Sequence, residues 1–172
     1  MANTLALRYD KTLDFIKKNA PDASTILDLG TPNAFSKIMA DRGFQVYNTS
    51  GQDLDFDYET LKEFKDIELV TALEIFEHLL NPLLVLKNLP ADKLVASVPL
   101  SLWFAKAYRS KTDPWDRHFH EFEDWQFDWL LEKAGWRILD SVQWCSPQNK
   151  VGLRPLLRRV TPRFYMVYAE RQ

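Results

Sequence analysis

Apolar residues fall in helical stripes and short unbroken runs that take turns along the chain. Leu5, Tyr9, Leu13 and Ile16 recur at three- and four-residue spacing, which predicts an amphipathic helix over residues 4–19, ended by Pro21 and Asp22. Residues 25–29 read as a buried strand. A helical pattern over 34–42 follows, with Asn33 placed to cap it and Gly43 to close it. Strands are predicted over 44–47, 67–72 and 94–98, with a short helix over 58–64 between the first two. Asn81 and Pro82 form a cap and a first-turn proline for a helix through Asn88. A helix over 123–134 carries acids in its first turn and has Gly135 after its last. Strands over 136–144 and 164–169 complete the series, separated by a Pro- and Arg-rich stretch, 145–161, read as a loop or short helix. Strands alternating with helices predict an α/β fold with a largely parallel sheet, and the close spacing of the last two strands predicts an antiparallel pair at that end.

Two stretches depart from any period. Residues 48–58 are polar and acidic, with Asp53, Asp55 and Asp57. Residues 100–122 mix Trp103, Phe104, Tyr108, Trp115, Phe119 and Phe122 with charges and prolines. An insertion of that kind after a strand reads as a lid that carries specificity, or else as packing against the sheet or a dimer contact.

Composition narrows the setting. A chain of 172 residues with 46% hydrophobic content is long enough for one domain with a real core. The formal net charge of −2 argues against a dedicated nucleic-acid binder. A single cysteine, Cys145, makes no internal disulfide, which fits a reducing compartment. With no apolar leader and no apolar stretch of about 20 residues, neither a signal peptide nor a membrane span is expected, and the cytoplasm is the default location.

The most informative motif is Ile26-Leu27-Asp28-Leu29-Gly30, a strand that ends on an acid and a glycine and runs straight into a helix. Such a turn sets backbone N–H groups and bare backbone at the carboxyl edge of a sheet, where nucleotide-like ligands bind in open α/β folds. Three further stretches join it: Leu69 through Glu74-Ile75-Phe76-Glu77-His78 to Pro82; Lys93-Leu94-Val95-Ala96-Ser97-Val98-Pro99; and His118 to Phe122 followed by Leu130-Leu131-Glu132-Lys133-Ala134-Gly135-Trp136. In this order they resemble a class I S-adenosylmethionine-dependent methyltransferase, of the small bacterial type similar to ubiquinone-biosynthesis O-methyltransferase relatives. The resemblance implies a Rossmann-like, doubly wound sheet of seven strands with the last strand antiparallel. It also implies methyl transfer from S-adenosylmethionine to a small-molecule acceptor, a displacement in which in-line placement does much of the work.

The chain departs from the family in two places. The turn reads Gly30-Thr31-Pro32-Asn33, with one glycine where the family has two or three, and Pro32 removes an N–H. The acid expected after the second strand, which would accept the ribose hydroxyls, is replaced by Asn48-Thr49-Ser50, with Asn48 or Asp53 as substitutes. Only about twenty residues separate the second and third strands, short for a full crossover plus an edge strand, so the edge strand is expected to be reduced.

Carried onto this chain, the resemblance places the cofactor over residues 28–33, against Asp28, Gly30, Thr31, Asn48, Asp53, Ala72, Leu73 and Glu74. Asp28 either faces the cofactor or caps its own loop. Glu77 and His78 are expected to anchor the loop and the helix after it. His118 and His120 are the candidate general bases for an acceptor hydroxyl. The His-x-His pair lacks the three or four ligands a metal site needs, so no metal is expected. Trp125 and Trp129 read as core. Arg154, Arg158, Arg159 and Arg163 read as a solvated face, or as a patch that meets a phosphate-bearing or peripheral membrane-surface acceptor. The rival reading is an inactive methyltransferase-like binding or partner module. A dinucleotide-binding reductase ranks last, because it needs a fuller glycine turn.

Overall fold

The computed structural model describes residues 4–146 and 151–172; residues 147–150 of the expected 145–161 stretch lie outside the described residues. In chain order the elements are α1 (Thr4–Asn19), β1 (Thr25–Asp28), α2 (Ala34–Asp41), β2 (Gln45–Asn48), β3 (Leu69–Leu73), α3 (Pro82–Lys87), β4 (Lys93–Pro99), α4 (Asp124–Lys133), β5 (Trp136–Cys145), α5 (Leu153–Val160) and β6 (Pro162–Arg171). Short 3₁₀ turns cover Tyr58–Glu63, where a helix is expected, and Phe76–His78.

The strands form one six-stranded sheet in the order β2-β1-β3-β4-β6-β5. The first four run parallel, and β6 runs antiparallel to both β4 and β5. This is the mixed α/β architecture expected, with its antiparallel final strand. The expected seventh strand is absent among the described residues. Residues 49–68 leave the carboxyl end of β2 and must reach the amino end of β3, and they do so through loop and one 3₁₀ turn. A further edge strand would need its own crossover, and parallel crossovers take a dozen or more residues each.

Two apolar layers hold the sheet. On one face Leu13 and Ile16 of α1 and Phe35 and Met39 of α2 pack against Ile26, Leu69 and Val95. On the other, Val85 and Leu86 of α3 and Phe127 and Leu131 of α4 pack against Val70, Ala96 and Val167. The fully buried Trp136 donates its indole N–H to Leu86 O at 3.1 Å, which ties β5 to α3. Two expectations of packing are corrected. Trp125 and Trp129 are 43% and 64% exposed and lie edge-on to each other, because Phe127 and Leu131 supply the inward face of α4. Asn81 makes no side-chain cap for α3; the Asp55 carboxylate, in the loop after β2, accepts from Leu80 N and Asn81 N, both at 2.8 Å, and fixes the chain just ahead of the helix. The expected Asn33 cap of α2 is present as a capping box with Ser36. In α5, Leu153, Leu156 and Val160 are exposed. No helix among the described residues is long and apolar enough to cross a membrane.

Candidate functional site

The turn after β1 is built around a buried acid. Asp28 is 2% exposed; its Oδ1 accepts from Thr71 Oγ1 at 2.7 Å, and its Oδ2 accepts from Ser36 Oγ at 2.8 Å, Asn33 Nδ2 at 3.2 Å and Asn48 Nδ2 at 3.3 Å. Burial pushes its carboxyl above the usual carboxylate range, against the pull of those four bonds. Of the two roles open to it in the sequence, the geometry shows it joining β1, β3, α2 and β2. Asn48 is turned the same way, also donating to Asp28 O and Gly30 O. Gly30 has φ of +106°, a conformation that side chains rarely adopt, and its N–H donates to Thr49 Oγ1 at 2.8 Å.

Above this turn lies a cavity of about 600 Å³ at the carboxyl edge of β1, β2 and β3. Gly30, Thr31 and Asp53 line it, with Phe56, Ile75, Trp115 and Phe119 as its apolar walls. Thr31 forms part of the wall and leaves the hollow open. Asp53 uses Oδ1 to accept from Asp55 N, so Oδ2 remains for a ligand hydroxyl. Gly51 has φ of +85°, and a Cβ there would meet Thr31 Cγ2 at 3.0 Å; the loop after β2 can approach the turn this closely only with glycine.

A second cavity, of about 260 Å³, opens beside the ends of β3 and β4, with Arg8, Glu74, Glu77, His118 and Arg163 among its lining. His78 lines both cavities. Glu74 has φ of +56°, uncommon for a residue other than glycine, and pairs with Arg8 Nη1 at 2.9 Å. Glu77 is 1% exposed, and burial, with Glu74 nearby, pushes its carboxyl up to about 8. His118 is held below the usual histidine range by burial and by the neighbouring His78 ring, whose centroid is 4.8 Å away. The segment carrying His118 is tied down through the backbone: Glu77 O accepts from Phe119 N at 2.8 Å and His120 N at 3.2 Å, and His78 Nδ1 lies 3.0 Å from Arg117 O.

Of the sequence-derived site residues, Gly30, Thr31 and Asp53 thus meet in the first cavity, and Glu74 and His118 in the second. Asp28 and Asn48 lie beneath the turn. Ala72 is fully buried in the sheet, and Leu73 packs against the α1–α2 layer. His120 stacks on Phe122 at 5.4 Å and lines neither cavity. Sequence reasoning missed Phe56, Ile75, Thr49 and the membership of Glu77 and His78 in the second cavity. The one available signal was that Thr49, Ile75, Glu77 and His78 lie within five residues of the carboxyl end of a strand.

Compared by sequence, neither a protein-family model nor a curated protein matches the chain. Solved structures do match by shape. The 1,6-didemethyltoxoflavin-N1-methyltransferase of Burkholderia thailandensis, with bound 1,6-didemethyltoxoflavin and S-adenosylhomocysteine, is 13% identical with a TM-score of 0.67 over 95% of this chain and 78% of its own. The magnesium protoporphyrin IX methyltransferase of Synechocystis PCC 6803, with bound S-adenosylhomocysteine, is 13% identical with a TM-score of 0.62 over 98% and 84%. An S-adenosylmethionine-dependent methyltransferase from Archaeoglobus fulgidus is 16% identical with a TM-score of 0.62 over 96% and 94%. The chain shares its fold with the S-adenosylmethionine-dependent methyltransferases.

Proposed function

We propose that this protein is an S-adenosylmethionine-dependent methyltransferase acting on a small-molecule acceptor. The observation that carries the reading is the pair of cavities at the carboxyl edge of the sheet, one over the β1 turn and one beside the ends of β3 and β4, with His78 in the lining of both. The structural neighbours crystallised with S-adenosylhomocysteine support it.

The residues of the first cavity fit the cofactor. Its volume lies in the usual range for small-molecule sites. Phe56, Ile75, Trp115 and Phe119 offer apolar and aromatic surface to a purine. Asp53 offers the free carboxylate oxygen that a ribose hydroxyl needs, taking the part of the acid absent at the end of β2. Gly30 and Thr31 border the methionine end. The bound cofactor would supply an electrophilic methyl group on its sulfonium.

The chain itself supplies placement. The second cavity holds the acceptor, and its size limits the enclosed part to a small group. His118, kept neutral by burial and by His78, presents a lone pair to an acceptor hydroxyl and draws its proton. His120, the other candidate base, stays outside. Residues 99–122 cover both cavities, with Trp115 and Phe119 over the first and Tyr108 and His118 over the second.

Isothermal titration calorimetry with S-adenosylmethionine and S-adenosylhomocysteine tests the cofactor claim. Saturable binding is expected, weakened by Asp53→Asn and retained in His118→Ala. A folded protein that gives no heat with either ligand would sink the reading.

A further inference from the structure

The mechanism above leaves one buried group unexplained. Glu77 Oε2 is buried with no hydrogen-bond partner, and a polar oxygen buried without one costs a fold free energy. It is not alone. Glu77, His78 and His118 each offer one ligand atom, and these atoms all lie within 4.8 Å of one another.

The surroundings suit a cation. His78 Nδ1 faces the Arg117 carbonyl at 3.0 Å, which makes that nitrogen the N–H and leaves the Nε2 lone pair directed toward Glu77, 3.8 Å from its Oε1. Metal-bound histidines are commonly fixed in this way, by a carbonyl or carboxylate on the far ring nitrogen. The acids Glu74, Glu77 and Asp116 line the cavity, and Glu121 Oε1 lies 3.3 Å from His118 Nδ1. The cations Arg8, Arg158 and Arg163 also line it; Arg8 is paired with Glu74, and Arg163 donates to Leu100 O. Ligand atoms about 2.0–2.2 Å from a first-row ion lie roughly 3–3.5 Å apart, so the widest pair of the trio needs to close by about 1.3–1.8 Å, a side-chain adjustment.

We propose that Glu77, His78 and His118 bind one divalent transition-metal ion, with its remaining positions open to the acceptor cavity. One carboxylate and two imidazoles select Zn²⁺, Mn²⁺ or Fe²⁺ over Mg²⁺ and Ca²⁺, which prefer all-oxygen sets. The presence of the ion does not depend on methyl transfer. Its use does rest on the reading of the second cavity as the acceptor site: an acceptor oxygen bound to the ion would release its proton more readily, and the lone pair of His118 would then hold the ion rather than receive that proton.

The test uses the intact protein, stripped with a chelator and dialysed against Zn²⁺, Mn²⁺ or Mg²⁺, with metal content measured by mass spectrometry. About one Zn²⁺ or Mn²⁺ per chain is expected, and no retained Mg²⁺. Glu77→Gln and His118→Ala should weaken Zn²⁺ binding by more than the roughly 10–100-fold that outer-shell changes cost, while His120→Ala keeps it. The chain has three histidines, so ring NMR signals give a readout that needs no variant: Zn²⁺ should shift those of His78 and His118 far more than those of His120. Absence of stoichiometric uptake, or uptake that leaves the His78 and His118 rings unshifted, overturns the proposal. Titrating S-adenosylmethionine into the same metal-free protein separates the two claims. Ion uptake without cofactor binding removes the methyltransferase reading alone, and cofactor binding without ion uptake removes only this one.

Discussion

Two aspartates within the same loop cluster do opposite work, and the difference lies in their partners. Asp28 is 2% exposed and accepts from four donors; Asp53 lines the first cavity, with Oδ1 committed to Asp55 N. The same Asp→Asn change should therefore separate stability from binding. Asp28→Asn puts an NH₂ either against Thr71, whose hydroxyl then loses its acceptor, or against the donor-only amide nitrogens of Asn33 and Asn48, leaving at least one buried donor unpaired. It should lower unfolding stability by about 1–3 kcal/mol in urea. Asp53→Asn should leave the urea midpoint unchanged. It should weaken S-adenosylmethionine binding about tenfold or more in calorimetry, the scale of a lost hydrogen bond to a charged group. Equal loss of stability in both variants would contradict this division of labour.

At the scale of elements, the segment between β4 and α4 contributes lining to both cavities at the sheet edge. Its ends are pinned, by a bridge between Leu100 and Phe122, by Ser101 N on Phe122 O at 2.7 Å, and by the two amides on Glu77 O. Between these points Trp103 and Trp115 are 78% and 68% exposed. A segment held at its ends and loosely packed between them opens locally at low free energy. Since Pro114, Trp115 and Phe119 form one wall of the first cavity, a ligand there should hold the segment closed. S-adenosylhomocysteine is expected to slow tryptic cleavage at Arg109, Lys111 and Arg117 severalfold, read by mass spectrometry of the fragments, and an unchanged rate would show that the segment does not cover the ligand. This element also marks the limit of what the sequence could show. Helix and strand periods made the parallel sheet, the Asn33 cap and the antiparallel final pair legible, because each depends on neighbours a few residues apart. The meeting of Glu77 with His118 depends on backbone bonds between residues some forty positions apart, which no local pattern records. Trp125 and Trp129 misled for a related reason: helical spacing shows that two side chains share a face, and it does not show which face meets the core.

For the whole molecule, the buried carboxyl of Glu77 couples folding to pH. In the native chain burial pushes it up to about 8, whereas its ordinary value is 4.5. Between these values the native state keeps a proton that the unfolded chain has lost. Unfolding then releases a proton, so stability falls as pH rises, by up to about 1.4 kcal/mol per pH unit, and levels off above the native value. The groups facing Glu77 act on the same balance: Glu74 raises it further, while Arg8 and Arg163 restrain it. The carboxyls of Glu68 and Asp140, held low by hydrogen bonds to Ser24 and Lys18, are exposed and add little to the slope. His118, held below the usual histidine range, opposes this trend at the acid end, so metal-free protein, kept so with a chelator, should lose urea stability most clearly from about pH 6.5 to pH 8. Glu77→Gln, which cannot ionise, should flatten that decline and be the more stable protein at the alkaline end. A wild-type profile that rises or stays level across this interval would mean that the carboxyl is ionised in the fold, with its charge compensated by Arg8 and Arg163.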